Sequence, residues 1–349
     1  MEMDGILSAT LSFLLSFVPI TMNPNSVQVS RESIGSTTII GLTTKEAEVL
    51  RDDNFRYFIV ALSEIEDNYR RAGTLDTKKM MVGALRGVLQ YGTSDLYSKF
   101  IPDSEVSGYT SQDFTGEHKD KNGAVVEETT VTWKILKHGL VVYLRISKFR
   151  YITIKQFDRA IDFLASMRPR GLIIDLRGNC GGMSNSVLDM MCYLIPSTQV
   201  VARFEDYGRS SIARYPTRDF SYRAVKKIPP VSSFDFVLSL RKIVMIDGDT
   251  ASAAEIMASA LRDAGCAKLL GQKSFGKGTF QNCLSGLLGM SKMTGGRWLT
   301  SSGDCLQGNG LKPDYEVLDT RPADEDYDAQ LYEAVKLLRS AVPISDKKN

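Results

Sequence analysis

A serine, a lysine and a glutamine stand close together in the stretch 246–281, and their side-chain types suggest shared chemistry. Ser252 is followed 25 positions later by Lys277, which lies between two glycines, and Gln281 follows four positions after that. A serine hydroxyl is a weak nucleophile until a base accepts its proton, and a lysine can be that base only where its surroundings keep the amine neutral. A glutamine would orient the amine without adding charge. The three residues therefore predict a hydrolase with an activated serine.

The elements around Ser252 are predicted to be a strand, a tight turn and a helix. Residues 242–246 form a short apolar run typical of a buried strand, and residues 251–263 are rich in helix-forming residues. Ser252 then lies in the first turn of the helix, where free backbone N–H groups and the helix dipole favour an anion. The N–H of Ala253 is accordingly predicted to stabilise an oxyanion formed at the serine.

Each of these residues also has an ordinary structural interpretation. Ser252 and Glu255 fit the S-x-x-E capping box, which needs no catalysis, and lysines are usually solvated. A fully extended backbone would hold the Cα atoms of Lys277 and Gln281 roughly 13 Å apart. Contact between their side chains therefore requires either a bend, which the adjacent glycines permit, or two long side chains that converge. The occurrence of all three residues together favours the catalytic interpretation.

A glycine-rich turn is predicted upstream, between another strand and another helix. Residues 171–176 form an apolar run, residues 177–182 read RGNCGG, and residues 183–194 are predicted to be helical. Such a turn forms an anion-binding nest, and neither GxGxxG nor GxxxxGK[ST] is present to indicate a nucleotide. The N–H of Gly181 is therefore predicted to be a second oxyanion donor, with a tight turn that binds no ligand as the alternative.

Four segments together resemble the C-terminal processing peptidases, also called tail-specific proteases: LIIDLRGNCGG, DGDTASAAEIMASAL, GQKSFGKGTFQ and LTSSGDCLQGNGLKPD. The resemblance extends from about residue 140 to residue 318. It implies an α/β fold of the Clp protease and crotonase type, with a core of ββα-type units and a helical N-terminal region. It also implies these site residues: a Ser–Lys–Gln arrangement on Ser252, Lys277 and Gln281, with the backbone N–H groups of Gly181 and Ala253 as oxyanion donors.

The sequence departs from that family in one respect. Its members usually carry a PDZ domain, which binds the substrate's C-terminal tail, between the helical segment and the core. Here residues 101–139 are too few for such a domain, and a turn signal at 121–123 followed by strand-like alternation over 129–137 predicts a hairpin connector instead. Recognition of a free C-terminus is therefore left open. A smaller departure is Cys180, at a position where proline is common in the family.

The chain is predicted to contain six segments: a signal or anchor segment at 1–22, a linker at 23–43, a helical region at 44–100, the hairpin connector at 101–139, a catalytic peptidase core at 140–320, and a C-terminal helix and tail at 321–349. Within the core, residues 200–238 are predicted to be irregular. The apolar run 6–20 has the length of a signal peptide, but Glu2 and Asp4 precede it where basic residues are expected. The resemblance favours an extracytoplasmic location with membrane association through the N-terminus; a buried N-terminal element used in dimer packing is the alternative.

The amino-acid composition and the net charge argue against some classes of binding partner. Apolar residues make up 43% of the chain and charged residues 24%, as in ordinary soluble proteins. A net charge of +2 with interspersed signs gives no basic stripe, so we expect no nucleic-acid partner. The two histidines, His118 and His138, are not close to other residues with metal-ligand spacing, so we expect neither a metal site nor a cofactor.

The sequence therefore predicts a serine-type endopeptidase that cleaves protein or peptide substrates, with cleavage near C-termini and homo-oligomerisation left open. Three alternatives also stay open. One is a peptidase of the same clan that uses a histidine base. Another is a non-catalytic ligand-binding protein on the same fold, and the third is a crotonase-like acyl-CoA enzyme, which the Gly181 and Ala253 donors alone would allow.

Overall fold

The structure is a computed structural model that divides into two compact units, 1–102 with 284–291, and 103–283 with 292–349. The residues it describes are 58, 61, 65, 76–93, 95–110, 116–119, 121, 123–136, 141–196, 199–206, 209–214, 231–286, 288–318 and 328–340. The predicted signal or anchor segment and the predicted linker lie outside the described residues, as does most of the predicted helical region before residue 76.

The described helices and strands follow one another in this order: α1 Thr77–Tyr91, β1 Lys99–Pro102, α2 Asp103–Thr110, β2 Glu117–Lys119, β3 Val125–Glu127, β4 Val131–Ile135, β5 Val141–Ile146, α3 Tyr151–Met167, β6 Gly171–Asp175, α4 Ser184–Met191, β7 Val200–Asp206, β8 Arg209–Arg214, α5 Val231–Ser239, β9 Arg241–Ile246, α6 Ala253–Asp263, β10 Ala267–Gly271, β11 Thr279–Gly286, β12 Gly289–Leu299, β13 Tyr315–Glu316 and α7 Ala329–Ser340. No helix in the described part of the chain is long and apolar enough to cross a membrane.

The first unit contains α1 and β1. Asp76 caps the start of α1 by accepting a hydrogen bond of 3.0 Å from the backbone N–H of Lys79, and the helix ends at Gly92. Phe100 and Ile101 of β1 are buried.

The second unit is built on a six-stranded sheet with the strand order β13-β10-β9-β6-β5-β4. Strands β5, β6, β9 and β10 run parallel to one another, and β4 pairs antiparallel with β5 at one edge. The carboxyl ends of β6 and β9 therefore meet at one edge of the sheet, which is where the two predicted loops begin. Such edges are the usual location of sites in parallel sheets.

Helices cover both faces of this sheet. Leu172 and Ile174 of β6 belong to a large apolar core that also contains residues of α3, α4 and α6, whereas Ile173 belongs to a second core that contains Ala334 and Leu338 of α7. Burial on both faces explains why the central strands read as continuous apolar runs rather than as alternating patterns. The two predicted loops therefore start from a rigid base.

The structure differs from the sequence prediction in two places. Strands β2 and β3 form an antiparallel pair around the predicted turn at 121–123, but β4 joins the main sheet, so the interval 101–139 is not a self-contained connector. The prediction that 200–238 is irregular was wrong for the described parts of that range, because β7 pairs with both β8 and β12 and α5 begins at Val231. The pairing of β7 with β12 joins residues 90 to 96 positions apart, which a local pattern does not reveal.

Candidate active site

Two loops meet beside Ser252: the glycine-rich loop after β6 and the turn between β9 and α6. Three hydrogen bonds join them: the Gly178 N–H to the Asp247 carboxylate (3.0 Å to each oxygen), the Thr250 hydroxyl to the Leu176 carbonyl (3.0 Å), and the Ala251 N–H to the Asn179 carbonyl (3.0 Å). Because these bonds involve mainly backbone atoms, they fix the path of both loops rather than single side chains.

Ser252 has a strained backbone at the junction of this turn and α6. Its φ is 56° and its ψ is −118°, and Arg168 is the one other non-glycine residue in the described ranges with a positive φ. A non-glycine residue tolerates such a conformation only where the surrounding structure holds it, and such residues cluster at functional sites. The predicted strand–turn–helix placement of Ser252 is therefore present, with this strain added.

Glu255 connects two segments: the turn 247–252 that ends at Ser252, called the serine turn, and the loop 272–278 that contains Lys277, called the lysine loop. Its fully buried carboxylate accepts hydrogen bonds from the Ser252 N–H (2.8 Å) and the Lys277 N–H (2.9 Å) on one oxygen. The other oxygen accepts from the Gly276 N–H (2.7 Å) and the Ser274 hydroxyl (2.5 Å). Because one oxygen serves both residues, the backbone nitrogens of Ser252 and Lys277 lie within about 6 Å of each other. Glu255 thus brings together two segments that are separate in sequence.

Lys277 and Gln281 are in contact through their side chains. The Lys277 Nζ donates a hydrogen bond of 3.0 Å to Oε1 of Gln281. The Gln281 Nε2 in turn donates to the hydroxyls of Thr279 (3.3 Å) and Thr294 (3.2 Å), so its carbonyl oxygen is the end turned towards the lysine. Both side chains are half-buried. The two side chains are therefore in contact, as the orienting role predicted for Gln281 requires.

Gly276 permits the close packing of the lysine loop. Its φ is +88°, and a Cβ there would come within 2.6 Å of the Gly310 nitrogen and 2.8 Å of the Leu306 carbonyl oxygen. Any other residue would therefore push the lysine loop away from the segment 306–310. The indole N–H of Trp298 also donates to the Lys277 carbonyl at 2.9 Å, which holds the loop from another side.

The two predicted oxyanion donors lie next to Ser252. A Cβ on Gly181 would come within 2.9 Å of the Ser252 Cβ and 3.0 Å of the Ala253 nitrogen, so the glycine-rich loop contacts the serine turn directly. The Ala253 N–H, which is buried, has no acceptor among the described residues. The Gly181 N–H donates to the side-chain oxygen of Asn179 at 2.8 Å, so donation to an oxyanion requires it to exchange or share that bond.

A buried cluster of charged side chains holds the start of the glycine-rich loop in place. Arg177 bonds the carboxylates of Asp175 and Asp328 and the side chain of Gln330. Burial alone would lower the pKa of Arg177, but the hydrogen bonds to the two aspartates outweigh it and raise that pKa. The Tyr143 hydroxyl donates to Asp175 at 2.6 Å, and burial together with the Asp175 charge raises the Tyr143 pKa to about 12. At neutral pH Arg177 is therefore charged and Tyr143 is neutral.

The metal site, the two histidines and Glu255 remain to be compared with the structure. The described residues include no group of three or more His, Cys, Asp or Glu side chains that could hold a metal ion. His118 lies in β2, and His138 lies outside the described residues, so the histidine alternative stays a hypothesis. Glu255 was assigned only to a capping box in the sequence analysis. The S-x-x-E pattern correctly indicates its bond to the Ser252 N–H, but nothing in the pattern points to its bonds with residues 274–277.

Comparison with known proteins identifies the family. A family model described as Peptidase family S41 matches residues 140–317. The carboxy-terminal processing protease CtpA of Bacillus subtilis (strain 168) is 30% identical over 200 residues, which are 55% of this chain and 40% of that protein. Carboxy-terminal processing protease CtpB of the same organism is 33% identical over 181 residues, 52% of this chain and 34% of that protein. The chain therefore spans two fifths or less of the length of these curated relatives.

Solved structures show the same fold. The photosystem II D1 C-terminal processing protease superposes with a TM-score of 0.52 at 18% identity, over 78% of this chain and 90% of that chain. A lipoprotein from Streptococcus agalactiae gives a TM-score of 0.53 at 16% identity, over 82% and 96%. These similarities confirm the predicted α/β fold. The matched family model covers half of the sequence and includes both loops of the site, and this chain therefore belongs to peptidase family S41.

Proposed function

We propose that this chain is a serine-type endopeptidase that hydrolyses protein or peptide substrates. Membership of family S41 supports this activity, and the observation that carries the residue assignment is the shared oxygen of Glu255. That oxygen holds the Ser252 turn against the lysine loop, and the Lys277 amine is oriented by Gln281. A purely capping role for Ser252 would not require its turn and the lysine loop to be tied to the same buried carboxylate.

In the proposed mechanism, Ser252 Oγ attacks the scissile carbonyl while the neutral Lys277 amine accepts its proton. The protonated Lys277 side chain then donates that proton to the amine of the leaving peptide. In the second half of the reaction Lys277 accepts a proton from the water that attacks the acyl-enzyme, and it returns this proton to Ser252 Oγ as the acid product leaves. Gln281 orients the amine. The N–H groups of Ala253 and Gly181 stabilise the oxyanion, and loss of one such donor typically raises the barrier by about 3 kcal/mol.

Cleavage near the C-terminus is the proposed substrate preference. The curated relatives are named carboxy-terminal processing proteases, which supports it, although they are much longer than the part this chain matches. The short interval between α1 and β4 contains α2 and the β2–β3 pair in place of the PDZ domain that the family resemblance implies. We therefore expect a substrate's tail to be bound by the peptidase core itself.

The chain is also proposed to work outside the cytoplasm. The apolar run 6–20 and the structural likeness to a lipoprotein support this location and a membrane association through the N-terminus. Homo-oligomerisation is a further hypothesis, which light scattering of the purified chain tests.

The activity is tested by replacing the proposed nucleophile and base. Ser252→Ala and Lys277→Ala are each expected to abolish cleavage of an unstructured protein substrate and to leave the fold intact, because each removes one half of the proton transfer. Lys273→Ala is the matched control, since Lys273 is an exposed lysine four positions before Lys277. Cut sites are mapped by mass spectrometry, and labelling of Ser252 by a fluorophosphonate probe is measured in parallel.

Each alternative gives a different result. Cleavage retained in Lys277→Ala contradicts the lysine base, and loss of cleavage on replacing His118 or His138 indicates the histidine mechanism. A wild-type chain that neither cleaves protein nor reacts with the fluorophosphonate is a binding protein rather than a peptidase.

A further inference from the structure

Asn179 is a fully buried polar residue in the glycine-rich loop that has no assigned role in the proposed mechanism. Its side-chain Nδ2 donates a hydrogen bond of 2.9 Å to the carbonyl of Ile146, at the end of β5. Its Oδ1 accepts a hydrogen bond of 2.8 Å from the N–H of Gly181. Both ends of the amide are therefore bonded within the protein, and none of the side chain is exposed for contact with a substrate.

The backbone of Asn179 also bonds the serine turn. Its carbonyl accepts a hydrogen bond of 3.0 Å from the Ala251 N–H, directly before Ser252, and its own N–H donates to the Leu176 carbonyl at 3.1 Å. This one residue thus links three segments: the end of β5, the loop that carries one proposed oxyanion donor, and the turn that carries the proposed nucleophile.

We propose that Asn179 is a positioning residue that sets the geometry between the Gly181 N–H and Ser252 during the reaction. This inference rests on the proposed function. Gly181 packs closely against Ser252, since a Cβ on Gly181 would lie 2.9 Å from the Ser252 Cβ. Loss of the hydrogen bond between the Gly181 N–H and the Asn179 side chain would therefore displace the proposed oxyanion donor relative to Ser252. Misplacing a reacting group by about 1 Å is sufficient to slow a reaction on the order of 100-fold.

The chemistry of the position suits asparagine alone among side chains of its length. It requires a donor towards the Ile146 carbonyl and an acceptor towards the Gly181 N–H on the same short stem. An aspartate would keep the acceptor but would turn a second oxygen towards the Ile146 carbonyl, and it would bring a negative charge close to the oxyanion. A neutral amide meets both needs without that charge.

The bond to Gly181 also makes the donation specific to the transition state. In the free enzyme the Gly181 N–H is satisfied by a neutral amide oxygen. Charged acceptors form stronger hydrogen bonds than neutral ones, so the N–H transfers its bond from Asn179 to the substrate oxygen only as negative charge develops there. Such a contact lowers the barrier without tightening ground-state binding.

The test compares Asn179→Ala and Asn179→Asp with Gln156→Ala. Gln156 is a suitable control because its buried amide also bridges a backbone carbonyl, that of Glu128, and the backbone N–H groups of Thr130 and Val131, but it does not touch either loop. For each variant we would measure kcat and KM on a peptide substrate, the Ki of a peptide boronate, which forms an anionic tetrahedral adduct with serine, and the melting temperature.

Both Asn179 variants are expected to lose on the order of 100-fold in kcat, with KM changed less than about threefold and the boronate Ki raised in parallel with the loss of kcat. Gln156→Ala is expected to melt at a lower temperature with kcat unchanged. A folded Asn179→Ala variant that keeps its kcat or its boronate affinity overturns the inference and leaves the proposed function intact.

A readout without turnover separates the two proposals further. If the wild-type chain cleaves no peptide but Ser252 reacts with a fluorophosphonate, slower labelling of Asn179→Ala supports the inference and equal labelling overturns it. If wild-type Ser252 is not labelled either, the proposed function fails, and the inference fails with it.

Discussion

At the scale of single residues, Glu255 is the group on which the site geometry depends most directly. Its two oxygens satisfy four donors from the serine turn and the lysine loop, in a location closed to solvent. A buried donor that loses its acceptor destabilises a protein by about 1–3 kcal/mol, because its lost contact with water is no longer compensated. The carboxylate therefore contributes to stability and to the alignment of Ser252 with Lys277 at once.

Glu255→Gln is expected to reduce both stability and activity. The glutamine keeps the volume but replaces one accepting oxygen by an NH₂ group, which then faces two N–H or O–H donors. We expect the free energy of unfolding in urea to fall by about 2 kcal/mol or more and kcat to fall with it. Glu333→Gln is the control, since Glu333 lies in an exposed pair with Lys336 and should change stability by less than about 0.5 kcal/mol. A Glu255→Gln variant as stable and active as the wild type would contradict this role.

The candidate residues Ser252, Lys277 and Gln281 stand out in the sequence, and their catalytic roles stay predictions, but the contacts of Glu255 could not be predicted. Ser252, Lys277 and Gln281 were identified because their chemistry is unusual in combination, and the contact between Lys277 and Gln281 is present. Glu255 was hidden because its pattern is common at helix starts and its other partners lie 19 to 22 positions away in sequence. The strained φ of Ser252 also has no signature in the sequence, since serine is not a residue that favours it.

At the scale of elements, α7 is attached to the six-stranded sheet by a charged contact as well as by apolar packing. Asp328 precedes the helix and accepts the Leu331 N–H at 2.9 Å, as a cap, while it also accepts two hydrogen bonds from Arg177. Because Arg177 lies two residues after the end of β6, in the glycine-rich loop, the start of α7 supports that loop.

Asp328→Ala is expected to lower the free energy of unfolding by about 3 kcal/mol, because it leaves a buried guanidinium without one of its two carboxylate partners and removes the helix cap. Hydrogen–deuterium exchange should become faster over 329–340 and over 177–183. Lys336→Ala, on the exposed side of the same helix, serves as the control. Faster exchange confined to α7 would contradict a coupling between the helix and the loop.

The elements buried in the six-stranded sheet and its helices were predicted well, whereas strands β7 and β8 were not. Strands β6 and β9 are buried on both faces, so their apolar runs stand out in the sequence, and helix α6 has strong helix formers. Strands β7 and β8 carry many charged residues and pair with each other, and β7 also pairs with β12. Burial on both faces marks the first group in the sequence, whereas β7 and β8 lack that apolar signal and are recognised by their pairing.

At the scale of the whole molecule, a buried lysine makes stability depend on pH. Lys242, at the start of β9, is 3% exposed, and its amine donates to the carbonyls of Leu238 (2.9 Å) and Leu240 (2.8 Å). Burial lowers its pKa from 10.5 to about 8, while the nearby Cys266 thiolate acts in the opposite direction. Between these two pKa values the unfolded chain binds more protons than the folded chain, so stability rises with pH in that window.

The stability of the wild type relative to Lys242→Met is therefore expected to rise by about 2 kcal/mol between pH 8 and pH 10. Urea unfolding at the two pH values measures this difference, in a Cys266→Ala background that removes the neighbouring thiol. Lys268→Met is the control for the change of residue type, because Lys268 is an exposed lysine on the neighbouring strand β10. A constant difference for Lys242→Met would show that the buried amine is not deprotonated in this range.

The distribution of the supporting contacts along the chain also has a consequence during synthesis. The glycine-rich loop near residue 180 relies on Asp328, and the lysine loop is packed against residues 306–310. A growing polypeptide still attached to the ribosome lacks these partners until residues 306–328 have emerged. The two loops are therefore completed late in synthesis, and under the proposed function a nascent chain that ends before residue 328 is expected to be inactive.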